Sequence, residues 1–346
     1  MKLFKQVIFI LVVFLKTGNL LSDNNLFNVN NILLEKKENN SNNQLANQAI
    51  NEAFNKFINK VLMKEDKSKL TNMSLSNIKE LVTYYNMSKN PESETSEVNF
   101  SVTFDKNKIH DLFYKKGISY SDIADKEFYI LPILINENKI FIFSNNYFYE
   151  NWNKKEINQL IEFILPLENI EIIQQINKSS NNLFNIELRT LFEEYPNKNT
   201  ALVFIENNNS NMQKIYLKTK IQDKIISKNL IFKKNNLEKE ILNEKIIFEI
   251  KDEVTNLVKS RNLIDIRTPS FLNAKLNLEA KNNLISINSK IKNIDLIENI
   301  FVQEFTNDYV KIKIKYLGKL EKLINQLKKV NIQIEFIGDQ WLIKSL

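Results

Sequence analysis

The chain has no cysteine among its 346 residues. That excludes disulfides, thiolate metal sites, a thiol nucleophile and a lipidated N-terminal cysteine. It leaves an oxidising compartment open, because a chain of this length can bury enough core to stand without covalent staples. Glycine and proline are scarce as well, at 4 and 5 residues. Four scattered glycines build neither a Walker loop nor a dinucleotide fingerprint. His110 is the only histidine. A Ser-His-Asp triad would have to use it, and no G-x-S-x-G elbow supplies the nucleophile. A zinc site would have to complete it with carboxylates alone, an unusual ligand set. Its setting, "NKIHDLF", reads as a surface position on a helix. Arg189, Arg261 and Arg267 are the only arginines, so lysines carry the net charge of +7. Nucleic-acid surfaces lean on arginine for bidentate and stacking contacts. The lysines accompany abundant asparagine and isoleucine, all encoded by A/T-rich codons, so codon bias accounts for the charge more simply than a nucleic-acid partner does. After the first twenty or so residues no stretch is long and apolar enough to span a membrane.

What is present is ordinary globular composition, 43% hydrophobic and 26% charged, long enough for two or three domains. The chain opens "MKLFKQVIFILVVFLKTGNLLS". Lys2 and Lys5 make a basic start and residues 7–15 an unbroken apolar run. As a helix that run spans about 13 Å, against about 30 Å of bilayer hydrocarbon. This length predicts a signal peptide over residues 1–22, cleaved near Ser22. An uncleaved anchor reaching about Leu21, with Lys16 snorkelling, is the alternative. Either way the expected location is the periplasm or cell envelope, with membrane contact through the N-terminus.

Residues 23–125 read as an α+β segment. "FNVNNILLE" is a strand, and Leu45, Ala49, Ala53, Phe57 and Val61 recur at helical spacing. "SLSNIKELVTYY" predicts a helix with Ser74 as N-cap. In "EVNFSVTFD", Val98, Phe100, Val102 and Phe104 face one way. "DKNKIHDLFYKKGI" is a helix ended by Gly117. Residues 126–268 alternate strands and helices and predict an α/β layer. "FYILPILI", "KIFIFS", "ENIEIIQ", "TALVFIE", "KIYLKTKI" and "KIISKNLIF" read as strands. "KKEINQLIEFI", "NIELRTLFEEY" and the long "LEKEILNEKIIFEIKDEVTNLVKSRN" read as helices. Residues 269–346 give β-α-β-β-α-β and a last hairpin arm, a ferredoxin-like arrangement with two helices on a four-stranded sheet. The fold class is thus α+β and α/β, modular, with a ferredoxin-like C-terminal domain.

Two stretches offer binding surfaces. "NYFYENWN" carries Tyr147, Tyr149 and Trp152 among asparagine amides, which suits glycan stacking or a peptide groove. The plainer reading is that these aromatics pin a loop onto a sheet edge. In "YVKIKIKY", Lys311, Lys313 and Lys315 form one face of a strand and Val310, Ile312, Ile314 and Tyr316 the other. A half-buried strand leaves such lysines in solvent, open to an acidic partner. No cofactor or metal site is expected. Carboxylates are plentiful, but nothing singles out an acid/base pair.

Several segments taken in order carry a resemblance: "FNVNNILLEKK", "NQAINEAFNKFINKVL", "IKELVTYY", "SEVNFSVTFDKNKIHDLFYKKGISY", "FYILPILI", "NYFYENWN", "ILPLENIE" and "LEKLINQLKKVNIQIEFIGDQWLI". Together they resemble an uncharacterised family of bacterial envelope proteins bearing signal peptides, a domain of unknown function. Val102, Phe104, Asp105, Leu131, Pro132, Asn151, Trp152, Pro166 and Leu167 sit where that pattern has them. The resemblance implies export, a modular α/β build and a binding or assembly role, and it transfers no catalytic residues. The expected function is that of a non-enzymatic, exported envelope accessory or binding protein whose partner is another envelope protein. The alternatives are a carboxylate-based hydrolase of envelope polymers, and lysine-mediated binding of anionic lipid or nucleic acid.

Overall fold

The computed structural model describes residues 26–36, 41–89, 97–123, 126–137, 139–154, 161–207, 212–234, 238–278, 284–292 and 294–345. The expected signal segment lies outside them. The chain divides into two units. One takes residues up to 59, residues 68–119 and residues from 265 onward; the other takes residues 60–67 and 120–264. Most of the N-terminal segment and the C-terminal segment therefore fall in the same unit.

Along the first stretch run β1 (Asn28–Glu35), α1 (Asn42–Val61), α2 (Lys64–Lys67), α3 (Leu75–Glu80), β2 (Val82–Lys89), β3 (Glu97–Phe104) and α4 (Lys106–Lys116). Strands β1 and β2 flank β3, both antiparallel to it. The alternation in β3 is as the sequence implies: Val98, Phe100, Val102 and Phe104 are buried. Phe57 of α1 meets Phe104 with ring centroids 5.3 Å apart. Ser74 does cap α3, its hydroxyl accepting from Asn77 N at 3.3 Å. The helix expected to continue through "LVTYY" stops at Glu80, however. Val82, Thr83, Tyr84 and Tyr85 are β-branched or aromatic, and Val82, Tyr84 and Tyr85 pair with β3 instead, with Thr83 at a register shift. Gly117 closes α4 at φ 60°, donating its N–H to Phe113 O and Tyr114 O, a conformation that favours glycine.

The second unit holds β4 (Tyr120–Ser121), β5 (Glu127–Asn136), β6 (Lys139–Phe141), α5 (Tyr147–Asn151), β7 (Glu162–Ile164), α6 (Ile170–Lys178), α7 (Leu188–Leu191), β8 (Asn199–Asn207), β9 (Met212–Ile221), β10 (Lys224–Lys233), α8 (Lys239–Arg261) and β11 (Leu263–Ile264). The main sheet has the order β10-β9-β8-β5-β6, with β7 also on β5. Strand β5 runs parallel to β7 and β8; the remaining pairs are antiparallel. Strands β5 and β8 are buried on both faces, as the centre of a doubly covered sheet must be. Ile130, Val203 and Leu217 face a core with Ile246, Ile250 and Val254 of α8. Leu131, Leu202 and Phe204 face a second core with Ile172 and Ile176 of α6.

Three local readings change here. "ENIEIIQ" is helical, because Asn169 caps it, its side chain accepting from Glu171 N at 2.7 Å, and Ile172 and Ile176 then share one face. A short apolar run alone does not distinguish the two states. "NYFYENWN" contains a short helix rather than an irregular loop. The predicted helix "KKEINQLIEFI" lies largely outside the described residues, and its last part is strand β7.

The chain then returns to the first unit through β12 (Ser270–Asn277), α9 (Leu284–Lys292), β13 (Ile297–Phe305), β14 (Tyr309–Tyr316), α10 (Leu320–Lys329), β15 (Ile332–Ile337) and β16 (Gln340–Ser345). The expected element order is present, yet the sheet has five strands, not four, in the order β13-β14-β12-β16-β15. In the four-stranded arrangement the strand after the second helix lies beside the first strand. Here β16 takes that place, parallel to β12, and β15 pairs antiparallel on its far side. The tight turn at Gly338 and Asp339, both at positive φ, lets β16 fold back inside β15. Among the described residues no helix is long and apolar enough to cross a membrane.

Candidate functional site

Two amides in the second unit stand where the pattern calls for apolar side chains. Gln213 precedes Ile215 and Leu217 on the face of β9 that meets α8. Asn243 sits between Leu242 and Ile246 on the buried stripe of α8. They are 3% and 8% exposed. Among the described residues neither side-chain amide has a hydrogen-bond partner. Neither amide is among the polar atoms that are both fully enclosed and unsatisfied, so each reaches the cleft, where solvent or a ligand can meet it.

Both amides line one cavity of about 670 Å³. Its wall includes Leu134 and Asn136 at the carboxyl end of β5, and Asn207 at the carboxyl end of β8. These two strands are parallel, and the carboxyl ends of parallel strands are where open α/β sheets hold ligands. Asn207 Nδ2 donates to Asn136 Oδ1 at 3.3 Å. Phe141, Tyr147 and Phe148 supply aromatic surface, and Lys234 and Lys239 supply positive charge. No aspartate or glutamate is in the lining among the described residues. The size lies within the ordinary range for small-molecule sites.

Asn146 fixes the aromatic wall. It is fully buried. Its Nδ2 lies 2.8 Å from Pro132 O, 2.8 Å from Ile142 O and 3.1 Å from Phe141 O. Its Oδ1 accepts from Phe148 N and Tyr149 N as the N-cap of α5. From that helix the three aromatics diverge. Tyr147 reaches the cavity. Tyr149 packs on the other core and donates its hydroxyl to Pro166 O at 2.7 Å. Burial, with Glu168 nearby, raises its phenol above the ordinary value. Trp152 is 1% exposed and belongs to the core, so its ring is enclosed rather than presented at the surface. Lys251 Nζ donates to Trp152 O at 2.8 Å and lies 5.8 Å from the Trp152 and Phe163 rings. Burial lowers the pKa of this lysine.

In the first unit, Lys311, Lys313 and Lys315 alternate with buried Val310, Ile312 and Ile314, so they share one face of β14. That face is not bare lysine. Lys311 pairs with Glu304 at 2.6 Å. Lys313 lies over the Phe271 ring at 4.4 Å, and Lys275 over Tyr309 at 4.2 Å. Glu298 faces Lys315 from β13.

His110 is buried, not a surface residue as expected. Its Nδ1 meets Glu298 Oε1 at 2.9 Å, and the Phe27 ring packs edge-on at 5.6 Å. Lys106, one turn earlier, donates to Ile297 O at 2.7 Å. The group ties α4 to the start of β13. A second cavity, about 450 Å³, is lined by Glu168, Glu171, Glu193 and Glu194. All four are exposed, so none has the apolar surroundings that separate an acid from a base in paired-carboxylate sites.

Tyr147 is thus the sequence candidate that reaches the amide-lined cavity. Gln213, Asn243, Asn136, Asn207 and Lys239 were not foreseen there. The signal available for the first two was an amide in apolar register on a strand and on a helix. Comparison with protein-family models, with curated proteins and with solved structures finds no match.

Proposed function

We propose that the protein is an exported, non-enzymatic binding protein of the bacterial envelope, located in the periplasm or tethered to the membrane by its N-terminal segment. The observation that carries the binding reading is the cavity at the strand ends, whose wall includes the side-chain amides of Gln213 and Asn243. A ligand with hydroxyl or carbonyl groups can hydrogen-bond both amides. Export rests on the basic start and the apolar run at residues 7–15. The resemblance to signal-bearing envelope proteins points the same way, and another envelope protein is the expected partner. The C-terminal segment is read as a ferredoxin-like arrangement extended by one inserted strand, on the strength of its element order.

Fractionation of cells expressing a C-terminally tagged chain, with N-terminal sequencing of the recovered protein, tests the location. Recovery in the periplasmic or membrane fraction is expected. A full-length, uncleaved chain soluble in the cytoplasm would overturn the reading.

A further inference from the structure

The chemistry of the amide-lined cavity narrows what it can hold. A carboxamide offers a donor and an acceptor side by side, which matches the donor and acceptor capacity of vicinal hydroxyls. Gln213 and Asn243 present two such groups in buried positions, and Asn136 and Asn207 present two more at the strand ends. Tyr147 and Phe141 add aromatic surface, against which the C–H face of a sugar ring can pack. Lys239 is exposed at the first turn of α8 and brings a positive charge to a lining with no carboxylate among the described residues. A purely apolar ligand would desolvate Gln213 and Asn243 without meeting their hydrogen bonds. Against a cation, the lysines would repel, with no carboxylate among the described lining residues to compensate.

We propose that this cavity binds an anionic sugar, with ring hydroxyls on the side-chain amides, the ring face against Tyr147 and the carboxylate or phosphate toward Lys239. The proposal rests on the binding-protein reading and names the ligand class for the same site. Acidic sugars with a carboxylate and sugars with a phosphate share this chemistry, and the experiment separates them.

The purified chain lacking residues 1–22 is titrated calorimetrically with glucuronic acid, glucose 6-phosphate and glucose. At least one anionic sugar is expected to bind saturably and more tightly than glucose, and the better of the two identifies the anion. Asn243→Leu is expected to weaken that binding about tenfold or more, the loss of roughly one good hydrogen-bonding group. Lys239→Gln, a change at an exposed position that leaves the fold intact, is expected to narrow the gap between the anionic sugar and glucose. The proposal is overturned if neither anionic sugar binds below about 10 mM, if glucose binds as tightly, or if both variants bind as the parent does. An envelope location with no sugar bound would refute the ligand class and leave the export reading standing. A cytoplasmic full-length chain that binds the sugar would refute export alone.

Discussion

Gln213 on β9 and Asn243 on α8 place two buried side-chain amides on one cavity, each at a position its neighbours fill with apolar residues. Both keep a polar group on the cavity wall where the apolar register would otherwise close it.

Asn146 holds the aromatic wall of that cavity through its contacts with three carbonyls and two backbone amides. Asn146→Ala leaves these groups unmet in a buried place. The expected cost is about 2–4 kcal/mol, summing a lost N-cap and buried unpaired carbonyls. Urea unfolding measures it. Because α5 also carries Tyr147, ligand affinity should fall along with stability.

Glu298 has its carboxyl held below the ordinary value of 4.5. The largest cause is the hydrogen bond from His110; Lys106 and Lys315 help, while burial opposes. A depressed carboxylate contributes stability that is full above its unfolded value and is lost as pH falls through the folded one. Glu298→Gln should therefore cost about 1.5–3 kcal/mol near pH 7. It should also lose less stability than the parent on acidification from about pH 5 to about pH 3. Thermal unfolding across that range is the check.

Lys259 is 2% exposed and donates to Leu62 O at 2.9 Å. Burial is the main cause lowering its pKa to about 8; Lys67 adds to it and Asp252 opposes. The folded chain then binds fewer protons than the unfolded chain between about 8 and the ordinary 10.5. Over that window stability rises with pH, and it is lost again as pH falls toward 8. Lys259→Met should flatten this rise. Denaturation midpoints of parent and variant at about pH 7.5 and about pH 9.5 test the slope, which is equal in the two proteins if Lys259 does not titrate as described.

Much of the architecture was legible in the sequence. The alternation of Val98, Phe100, Val102 and Phe104 fixed one face of β3, and the lysine alternation fixed one face of β14. Long elements with strong periodicity read correctly for that reason. Short segments are where pattern and structure part. Residues 82–85 read as a continuation of α3, since nothing separates them from it but their side-chain shape. The apolar run from Ile170 reads as a strand unless Asn169 is recognised as a helix cap. The insertion of β16 beside β12 is a matter of pairing between distant strands, which local patterning does not encode. The burial of His110 is hidden from local pattern for a similar reason. Its partner Glu298 lies 188 residues away in the chain. Of the cavity, the sequence points to Tyr147. The amides that define it were hidden in a chain where asparagine is everywhere.

The most direct test is the rise in Tm that the anionic sugar gives the parent and Gln213→Leu/Asn243→Leu. The parent is predicted to melt higher with the sugar present, and the double variant, folded on its own, to have lost that rise. A double variant that keeps the full rise would contradict the account, because the two amides would then not be meeting the ligand.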